Sequence, residues 1–199
     1  MHHTKLVILG RDGTLNRYRD DHVKAPDEWE PLAGALEAVS RLNHAGWHTV
    51  VATNQAGIGR GMIDMASVNA VHVEMNRKLQ AQGGRLDAVF FCPHTPEDQC
   101  TCRKPLPGMM QDIGRRYGIA LANVPMVGDT LRDLHAAAAA GCEPHLVLTG
   151  RAAALPEDEL KKGLAAVPNA HIHADLEAFA EFLLTRDHVA DSASGGLPR

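Results

Sequence analysis

The stretch that decides the fold is LVILGRDGT, residues 6–14. Its first four residues form a short, continuous apolar run, which is typical of a strand that is buried on both faces in a parallel sheet. Small and charged residues follow at once, so that Gly10 and Asp12 come directly after the strand. Ligands of open α/β sheets bind outside the carboxyl ends of the strands. The stretch therefore predicts both a parallel sheet and a site at its carboxyl edge.

The rest of the chain alternates between strand and helix patterns. Short apolar runs predict further strands, whereas apolar residues spaced three and four apart predict helices between them. The predicted strands are 49–52, 88–91, 124–127 and 145–148, and the predicted helices are 67–82, 109–117 and 131–140, with one more from Leu36 to a stop at Gly46. This alternation indicates right-handed crossovers and a three-layer, Rossmann-like α/β fold whose mostly parallel sheet is covered on both faces.

Polar side chains follow the predicted strands one after another. Thr53 and Asn54 come after the second strand, Lys104 follows the third beyond a cysteine-rich loop, and Asp129 follows the fourth. Hydroxyl and amide groups bind phosphate oxygens, a lysine supplies fixed positive charge, and carboxylates bind a hard cation such as Mg2+. Each residue alone is more typical of a helix cap, a turn or a solvated surface. Their arrival at successive strand ends predicts a phosphoryl-binding site, with Asp12 placed for general acid or base chemistry.

The cysteine-rich loop before Lys104 has the residues of a metal site. Cys92, His94, Cys100 and Cys102 supply three thiolates and one imidazole, which is a full tetrahedral set for a structural Zn2+ ion. A disulfide framework fits less well, because these three cysteines lie within eleven residues and no secretory context accompanies them. Free cysteines in a loop are the alternative. We expect zinc to fix the side chains after the loop over the phosphoryl site.

Together, these motifs resemble the haloacid-dehalogenase (HAD) superfamily. The resemblance lies in a strand followed by x-x-D-G-T, a strand followed by T-N, then K-P, and a strand followed by G-D-x-x-x-D, over roughly residues 5–150. It implies a HAD fold and an aspartyl-phosphate mechanism that uses Mg2+. No long insertion follows the first motif or the second helix, so we expect no separate cap domain. Substrate selection is then expected from loops 16–29 and 57–62 and from the zinc loop.

Three shorter motifs narrow the resemblance. TNQAGIGRG at 53–61, CPH at 92–94 and CTCRKPLPGM at 100–109 look like the D-glycero-D-manno-heptose-1,7-bisphosphate 7-phosphatases. That family implies removal of the 7-phosphate during the synthesis of ADP- or GDP-heptose for lipopolysaccharide or other surface polysaccharide. Histidinol-phosphate phosphatases share the cysteine loop and remain an alternative. Gln55, with the glycine-rich run after it, favours the heptose family.

The resemblance implies a role for each matching residue. Asp12 matches the aspartate that protonates the leaving sugar oxygen, and Lys104 matches the residue that stabilises the transferring phosphoryl group. Arg60 is read equally well as a solvent-exposed loop arginine. The resemblance implies substrate binding by Thr53, Asn54, Gln55, Arg60 and Arg103, Mg2+ binding by Asp12 and Asp129, and zinc binding by the four ligands of the loop.

Gly10 is the one serious departure from the family pattern, because the first aspartate of the motif belongs at this position. Glycine has no side chain, so it can neither form an aspartyl-phosphate nor offer Mg2+ a carboxylate. Arg11 cannot replace it, because a guanidinium is always protonated. The chain as written is therefore expected to be nearly inactive. We favour an altered copy of a working enzyme over a non-catalytic, phosphosugar-binding protein, since the rest of the site shows no comparable damage.

The composition limits the number of domains and the classes of partner that the chain can have. A chain of 199 residues with 45% hydrophobic and 22% charged residues suits one soluble domain. Its net charge of −4 argues against nucleic acid or an anionic membrane as the main partner, and no apolar run is long enough for a membrane span. We expect residues 1–185 to form the domain, 186–199 to be a flexible C-terminal tail and Cys142 to be a buried apolar residue. We also expect a cytoplasmic monomer whose partner is a small phosphorylated sugar.

Overall fold

A six-stranded sheet forms the middle layer of the structure, a computed structural model that describes residues 4–194. The strands lie in the order β3-β2-β1-β4-β5-β6, and all five neighbouring pairs are parallel. The chain builds outward from β1 to β3 on one side, then returns past β1 and builds β4 to β6 on the other. The strands are β1 (Leu6–Leu9), β2 (His48–Asn54), β3 (Ala88–Cys92), β4 (Pro125–Gly128), β5 (Glu143–Val147) and β6 (His171–His173).

Helices cover both faces of this sheet. One face packs against α1, α3 and α7, and the other against α4 and α5. A smaller apolar cluster joins α5 to α6. The helices are α1 (Ala35–His44), α2 (Ala56–Gly59), α3 (Met65–Ala81), α4 (Gly108–Tyr117), α5 (Leu131–Ala140), α6 (Glu157–Ala165) and α7 (Leu176–Ser194).

The continuous apolar run of β1 is explained by its central position. Side chains of a strand alternate between faces, so Val7 and Leu9 enter the cluster under α1 and α7, whereas Leu6 and Ile8 enter the cluster under α4. All four residues are at most 1% exposed. Burial on both faces leaves no position for a polar residue before Gly10. The expected α/β fold with a mostly parallel sheet is thereby confirmed.

Strand and helix boundaries differ from the expected ones by one or two residues at most ends, while α5 covers the predicted residues. The elements α2, α6, β6 and α7 were not predicted. The apolar residues of α2, α6 and β6 are few or spread through polar sequence, so their periodicity is weak, whereas α7 carries buried apolar residues at helical spacing. The absence of a separate cap domain stays a prediction. Among the described residues, no helix is long and apolar enough to cross a membrane.

The expected boundary between domain and tail at residue 185 falls inside helix α7. Helix α7 continues to Ser194, and its last turns touch the body of the fold. Arg186 Nη1 donates to both carboxylate oxygens of Glu143 at 2.8 Å, and Asp187 accepts from Lys5 Nζ at 2.8 Å and from Trp47 Nε1 at 3.0 Å. The Ser, Gly and Asp content that indicated a tail does not prevent a helix from docking through such polar contacts. Residues 195–199 lie outside the described residues.

Candidate active site

The predicted site residues meet where the strand order reverses, between β1 and β4. The register places Leu9 beside Val51 of β2 and Val127 of β4, so that the segments after these three strands leave the sheet at the same edge. Such a reversal is the usual ligand-binding crevice of an open α/β sheet. Here it holds a cavity of about 270 Å³. The predicted residues that line this cavity are Gly10, Asp12, Thr53, Asn54, Arg60, Arg103, Lys104 and Asp129.

The cavity wall is cationic although the whole chain carries net negative charge. Seven Lys and Arg side chains line it, against the carboxylates of Asp12, Asp129 and Asp133. Burial, and then the charge of Arg132, lower the pKa of Arg103, because these cations crowd together. A multiply charged anion is the ligand that such a wall attracts. The seven cationic residues are Arg11, Arg19, Arg60, Arg103, Lys104, Arg132 and Arg151.

Gly10 lies where β1 opens onto the cavity. Its amide donates to the Val127 carbonyl at 2.8 Å, which fixes the backbone against β4. A Cβ at this position would lie 2.8 Å from Thr14 Oγ1 and 3.5 Å from Gly128 Cα. Thr14 Oγ1 is buried and has no hydrogen-bond partner among the described residues, which is uncommon for a buried hydroxyl. Rotation of the Thr14 side chain would therefore make room at position 10 at little cost.

Asp12 is held as an anion by surrounding donors. Its Oδ1 accepts from Arg11 Nη2 and Asn16 Nδ2, both at 3.0 Å, and its Oδ2 accepts from Gln55 Nε2 at 2.8 Å. Burial alone would raise the pKa of Asp12. The charge of Arg11 and these hydrogen bonds outweigh burial, so the pKa of Asp12 lies below its ordinary value.

Arg11 is an unpredicted part of the site. Its side chain is 1% exposed and lies between Asp12 and His72, whose Nε2 is 3.2 Å from Arg11 Nη1. Burial, and then the Arg11 charge, lower the pKa of His72 to about 4, so its ring stays neutral and Nε2 can accept the hydrogen bond. His72 thereby fixes the guanidinium that neutralises Asp12.

Asp129 faces the opposite situation. It is 3% exposed, and Lys104, the nearest lysine, forms its ion pair with Asp133 instead, at 2.6 Å. Burial, and then the charge of Asp133, raise the pKa of Asp129 to about 7. A buried carboxylate in this state would be stabilised by a cation. Oxygen ligands of this kind suit Mg2+, although position 10 offers no second carboxylate.

The residues after β2 mainly hold other site residues in place. Asn54 donates to the Lys104 carbonyl at 3.0 Å and accepts from the Lys104 amide at 3.1 Å. Gln55 is 2% exposed and bridges Asp12 Oδ2 and Thr53 Oγ1, the latter at 2.9 Å. The cavity-lining residues do not include Gln55. Its amide orients Asp12, and its expected substrate contact stays a prediction.

The four residues of the cysteine loop converge. The donor atoms of Cys92, His94, Cys100 and Cys102 all lie within 4.8 Å of one another. Cys92 Sγ lies 3.1 Å from Cys102 Sγ and 3.7 Å from Cys100 Sγ, and His94 Nδ1 lies 3.2 Å from Cys102 Sγ. Tetrahedral zinc with bonds of about 2.3 Å to sulfur needs sulfur atoms roughly 3.8 Å apart. The donor set and its spacing thus fit Zn2+.

The zinc loop is tied to the cavity through its last residues. Arg103 Nη1 donates to the His94 carbonyl at 3.2 Å, so one residue of the Cys/His cluster and one cavity-lining cation share a hydrogen bond. Lys104 Nζ donates to the Ala52 carbonyl at 2.7 Å and is buried. Arg60 follows α2, lines the cavity and is exposed. Loop geometry therefore sets the positions of Arg103 and Lys104.

The sequence marked Asp133 as the last residue of the G-D-x-x-x-D motif but gave it no role. Asp133 holds Lys104 and also closes the first turn of α5, since its carboxylate accepts from Thr130 N and Oγ1 at 3.0 and 2.7 Å. The T-x-x-D spacing signals a capping box but not the ion pair. Two further cavity-lining cations were missed: Arg132, at a variable position of the same motif, and Arg151, in a segment that no motif marked.

Comparison with known proteins is consistent with this geometry. A HAD-hydrolase-like family model matches residues 101–179. The D-glycero-beta-D-manno-heptose-1,7-bisphosphate 7-phosphatase of Bordetella bronchiseptica is 52% identical over 181 residues, which cover 90% of this chain and 98% of that protein. The Pseudomonas aeruginosa protein of the same name is 44% identical over 90% of this chain and 97% of its own length.

A solved structure shows the same likeness in three dimensions. The D,D-heptose 1,7-bisphosphate phosphatase of B. bronchiseptica, complexed with magnesium and phosphate, matches with a TM-score of 0.83 and 50% identity. The match covers 92% of this chain and 99% of that one. The fold is thus shared with a protein whose solved structure holds magnesium and phosphate.

Proposed function

Because the chain belongs to the D-glycero-beta-D-manno-heptose-1,7-bisphosphate 7-phosphatase family and is thereby a phosphoric monoester hydrolase, we propose that its cavity is built to remove the 7-phosphate of the heptose 1,7-bisphosphate. The observation that carries the proposal is the convergence of Asp12, Thr53, Lys104 and Asp129 on one cationic cavity at the strand reversal. A bisphosphate brings the multiple negative charge that this wall attracts.

The residues of the chain divide the work of phosphoryl transfer. Lys104 and the hydroxyl of Thr53 bind and polarise the phosphoryl oxygens. Asp12 carries a proton to the departing sugar oxygen as the phosphorus–oxygen bond breaks, and later takes a proton from the attacking water. A bound phosphate dianion disfavours the charge of Asp12 and so promotes its protonation. Mg2+, held by Asp129 and the Asp12 segment, would supply positive charge to the phosphoryl oxygens.

The nucleophile is the missing part. In the proposed aspartyl-phosphate route, a carboxylate at position 10 attacks phosphorus, and water then hydrolyses the acyl phosphate. Gly10 offers no such group, so the chain as written binds its substrate but turns it over very slowly. The Cβ of a side chain at position 10 would lie 2.8 Å from Thr14 Oγ1, so Thr14 must shift when this position carries aspartate. The rest of the cavity retains its ion pairs and hydrogen bonds.

Gly10 also supports a second candidate of another class, a non-catalytic protein that binds phosphosugars. Histidinol phosphate is the alternative substrate, since that enzyme family shares the zinc loop. A cytoplasmic monomer without nucleic-acid or membrane partners, active in ADP- or GDP-heptose synthesis, remains a prediction from sequence. So does the extent of the domain, predicted as residues 1–185.

Phosphate release from D-glycero-D-manno-heptose 1,7-bisphosphate with Mg2+ tests the proposal. The Gly10→Asp variant is expected to exceed the chain as written by about 10⁴- to 10⁶-fold in turnover, since restoring a nucleophile restores a cooperating set of groups. A Gly10→Asn variant is the matched control, because its side chain has the same size as that of Gly10→Asp. It should stay inactive when freshly prepared protein is assayed.

The outcomes separate the candidates. Activity of the Gly10→Asp variant on histidinol phosphate alone would assign the other substrate. A folded, metal-loaded Gly10→Asp variant without activity on either compound would overturn the phosphatase proposal. Binding of the bisphosphate by that inactive variant would then favour the binding protein.

A further inference from the structure

Three residues after β5 touch both strand ends that form the cation site. Thr149 Oγ1 donates to the Gly13 carbonyl at 2.6 Å, and the Arg151 amide donates to Asp129 Oδ2 at 2.8 Å. Gly13 belongs to the turn after β1, and Asp129 follows β4. One short turn thus bonds to the segment after β1 and to the carboxylate after β4.

The contact between these segments is too close for any side chain. A Cβ at Gly13 would lie 2.0 Å from Asp129 Oδ2, and a Cβ at Gly150 would lie 2.3 Å from the same oxygen and 2.5 Å from Gly13 Cα. Both glycines have positive φ, +80° and +50°, which favours glycine at these positions. The Asp129 carboxylate therefore lies between the backbones of Gly13 and Gly150. The freedom that it retains is rotation about its own side-chain bonds.

We propose that Thr149 and the Arg151 backbone amide are positioning elements of the cation site. The Arg151 amide fixes the rotamer of Asp129, and the Thr149 hydroxyl fixes the Gly13 turn that carries the Asp12 segment toward it. Hydrogen bonds to ligating carboxylates commonly set metal affinity in this way. The inference rests on the proposed function, since it assumes that Asp129 binds Mg2+.

The geometry of Arg151 permits a clean test of its amide. Its φ is −73° and ψ is −33°, and proline adopts φ near −65°. Arg151→Pro removes both the amide hydrogen and the guanidinium, whereas Arg151→Ala removes the guanidinium alone. The guanidinium reaches Tyr18 across the cavity, so the alanine variant controls for the loss of that contact. A difference between the two variants then reports on how the Arg151 nitrogen holds the Asp129 carboxylate, since proline removes the hydrogen bond and also brings its Cδ against Asp129 Oδ2.

The experiment measures the Mg2+ dissociation constant by calorimetry, in full-length chains that also carry Gly10→Asp. We expect Arg151→Pro to bind Mg2+ about 10- to 100-fold more weakly than Arg151→Ala. Thr149→Val is expected to bind more weakly than Thr149→Ser, which keeps the hydroxyl. Thermal unfolding of each chain without Mg2+ identifies variants that fail to fold. If Arg151→Pro fails to fold, the two Thr149 variants still test the inference.

Each outcome has a distinct meaning. Equal Mg2+ affinity within both pairs of variants, with a parent that binds Mg2+, would overturn the positioning role and leave the proposed function standing. A parent Gly10→Asp chain that binds no Mg2+ and releases no phosphate would overturn the proposed function and this inference together. Weaker Mg2+ binding only in Arg151→Pro would restrict the role to the amide and remove Thr149 from it.

Discussion

The ends of β1 and β4 lie side by side, yet their carboxylates are in opposite electrostatic states. Asp12 accepts hydrogen bonds from Arg11, Asn16 and Gln55, and its pKa lies below the ordinary value. Asp129 accepts from one backbone amide, and burial beside Asp133 raises its pKa to about 7. The protein thus stabilises negative charge at one strand end and leaves it uncompensated at the next.

The two regions therefore differ in how far the protein itself neutralises the charge of the carboxylate. The Asp12 region supplies its own counter-charge, so it is complete without a ligand. The Asp129 region lacks a cation, because Lys104 is paired with Asp133, and it lacks a carboxylate at position 10. Groups whose surroundings push their pKa values apart commonly have different chemical roles. We therefore assign proton transfer to Asp12 and cation binding to Asp129.

The largest effect that would sharpen this comparison concerns catalysis. In chains that also carry Gly10→Asp, replacing Asp12 with Asn is expected to lower kcat by about 10²- to 10⁴-fold, the usual contribution of general acid catalysis. Mg2+ affinity, measured by calorimetry, should change little. Asp129→Asn should instead abolish Mg2+ binding. A matching loss of Mg2+ affinity in both variants would remove the distinction between the two strand ends.

Stability should respond to the same two substitutions with opposite sign. In the chain as written, with zinc retained and no Mg2+ present at pH 8, Asp12→Asn leaves the 1% exposed Arg11 without its carboxylate. The expected loss is about 3 kcal/mol in the free energy of unfolding. Asp129→Asn removes a buried, uncompensated charge and is expected to add about 1 kcal/mol. Urea unfolding measures both, and a shared sign would contradict the comparison.

The pH dependence provides a finer test of the Asp129 region. Because the pKa of Asp129 is raised from 3.8 to about 7 by folding, the folded chain binds more protons than the unfolded chain between these values. The contribution of Asp129 to stability without Mg2+ should therefore fall as pH rises from 4 to 7, by at most about 1.4 kcal/mol per pH unit. His72 and His173 contribute with the opposite sign, because folding lowers their pKa values to about 4, and they do so equally in the reference variant. The Asp129→Asn variant lacks this slope and serves as the reference. A constant difference between the two unfolding curves over this range would refute the raised pKa.

The fold could be predicted where one pattern decided it. The apolar run of β1 has no polar residue because both of its faces are buried, and the same logic identified four more strands. Helix α7 was not predicted, although its buried residues Leu176, Phe179, Ala180 and Leu183 are spaced three and four apart. Its later polar contacts, such as Arg186 with Glu143, involve residues 43 positions apart and leave no local pattern.

The candidate site divides along a similar line. Motif residues such as Lys104 and Asp129 could be placed at the cavity from sequence, since each follows a strand. Pairings could not, because they depend on side-chain directions across elements. The Lys104 ion pair with Asp133 and the burial of Gln55 beneath Asp12 are of this kind. The sequence predicted which residues converge, and the structure shows how their charges are divided.

The smallest expected effect is a loss of phosphate affinity when zinc is removed from the cysteine loop. Zinc is expected to hold Arg103 and Lys104 in place, through the Arg103 bond to His94 and the chain connection to Cys102. Cys100→Ser, in the chain as written, should lose zinc and bind inorganic phosphate about tenfold more weakly, within the usual cost of disturbing groups that orient a ligand site. Cys142→Ala, outside the cluster, should keep both zinc and phosphate affinity.

Metal analysis, calorimetry and thermal unfolding together distinguish a weakened phosphate site in Cys100→Ser from simple unfolding of that variant. A zinc-free Cys100→Ser chain with unchanged phosphate affinity would show that the loop holds its cations without metal, because the hydrogen bonds between Asn54 and Lys104 then suffice.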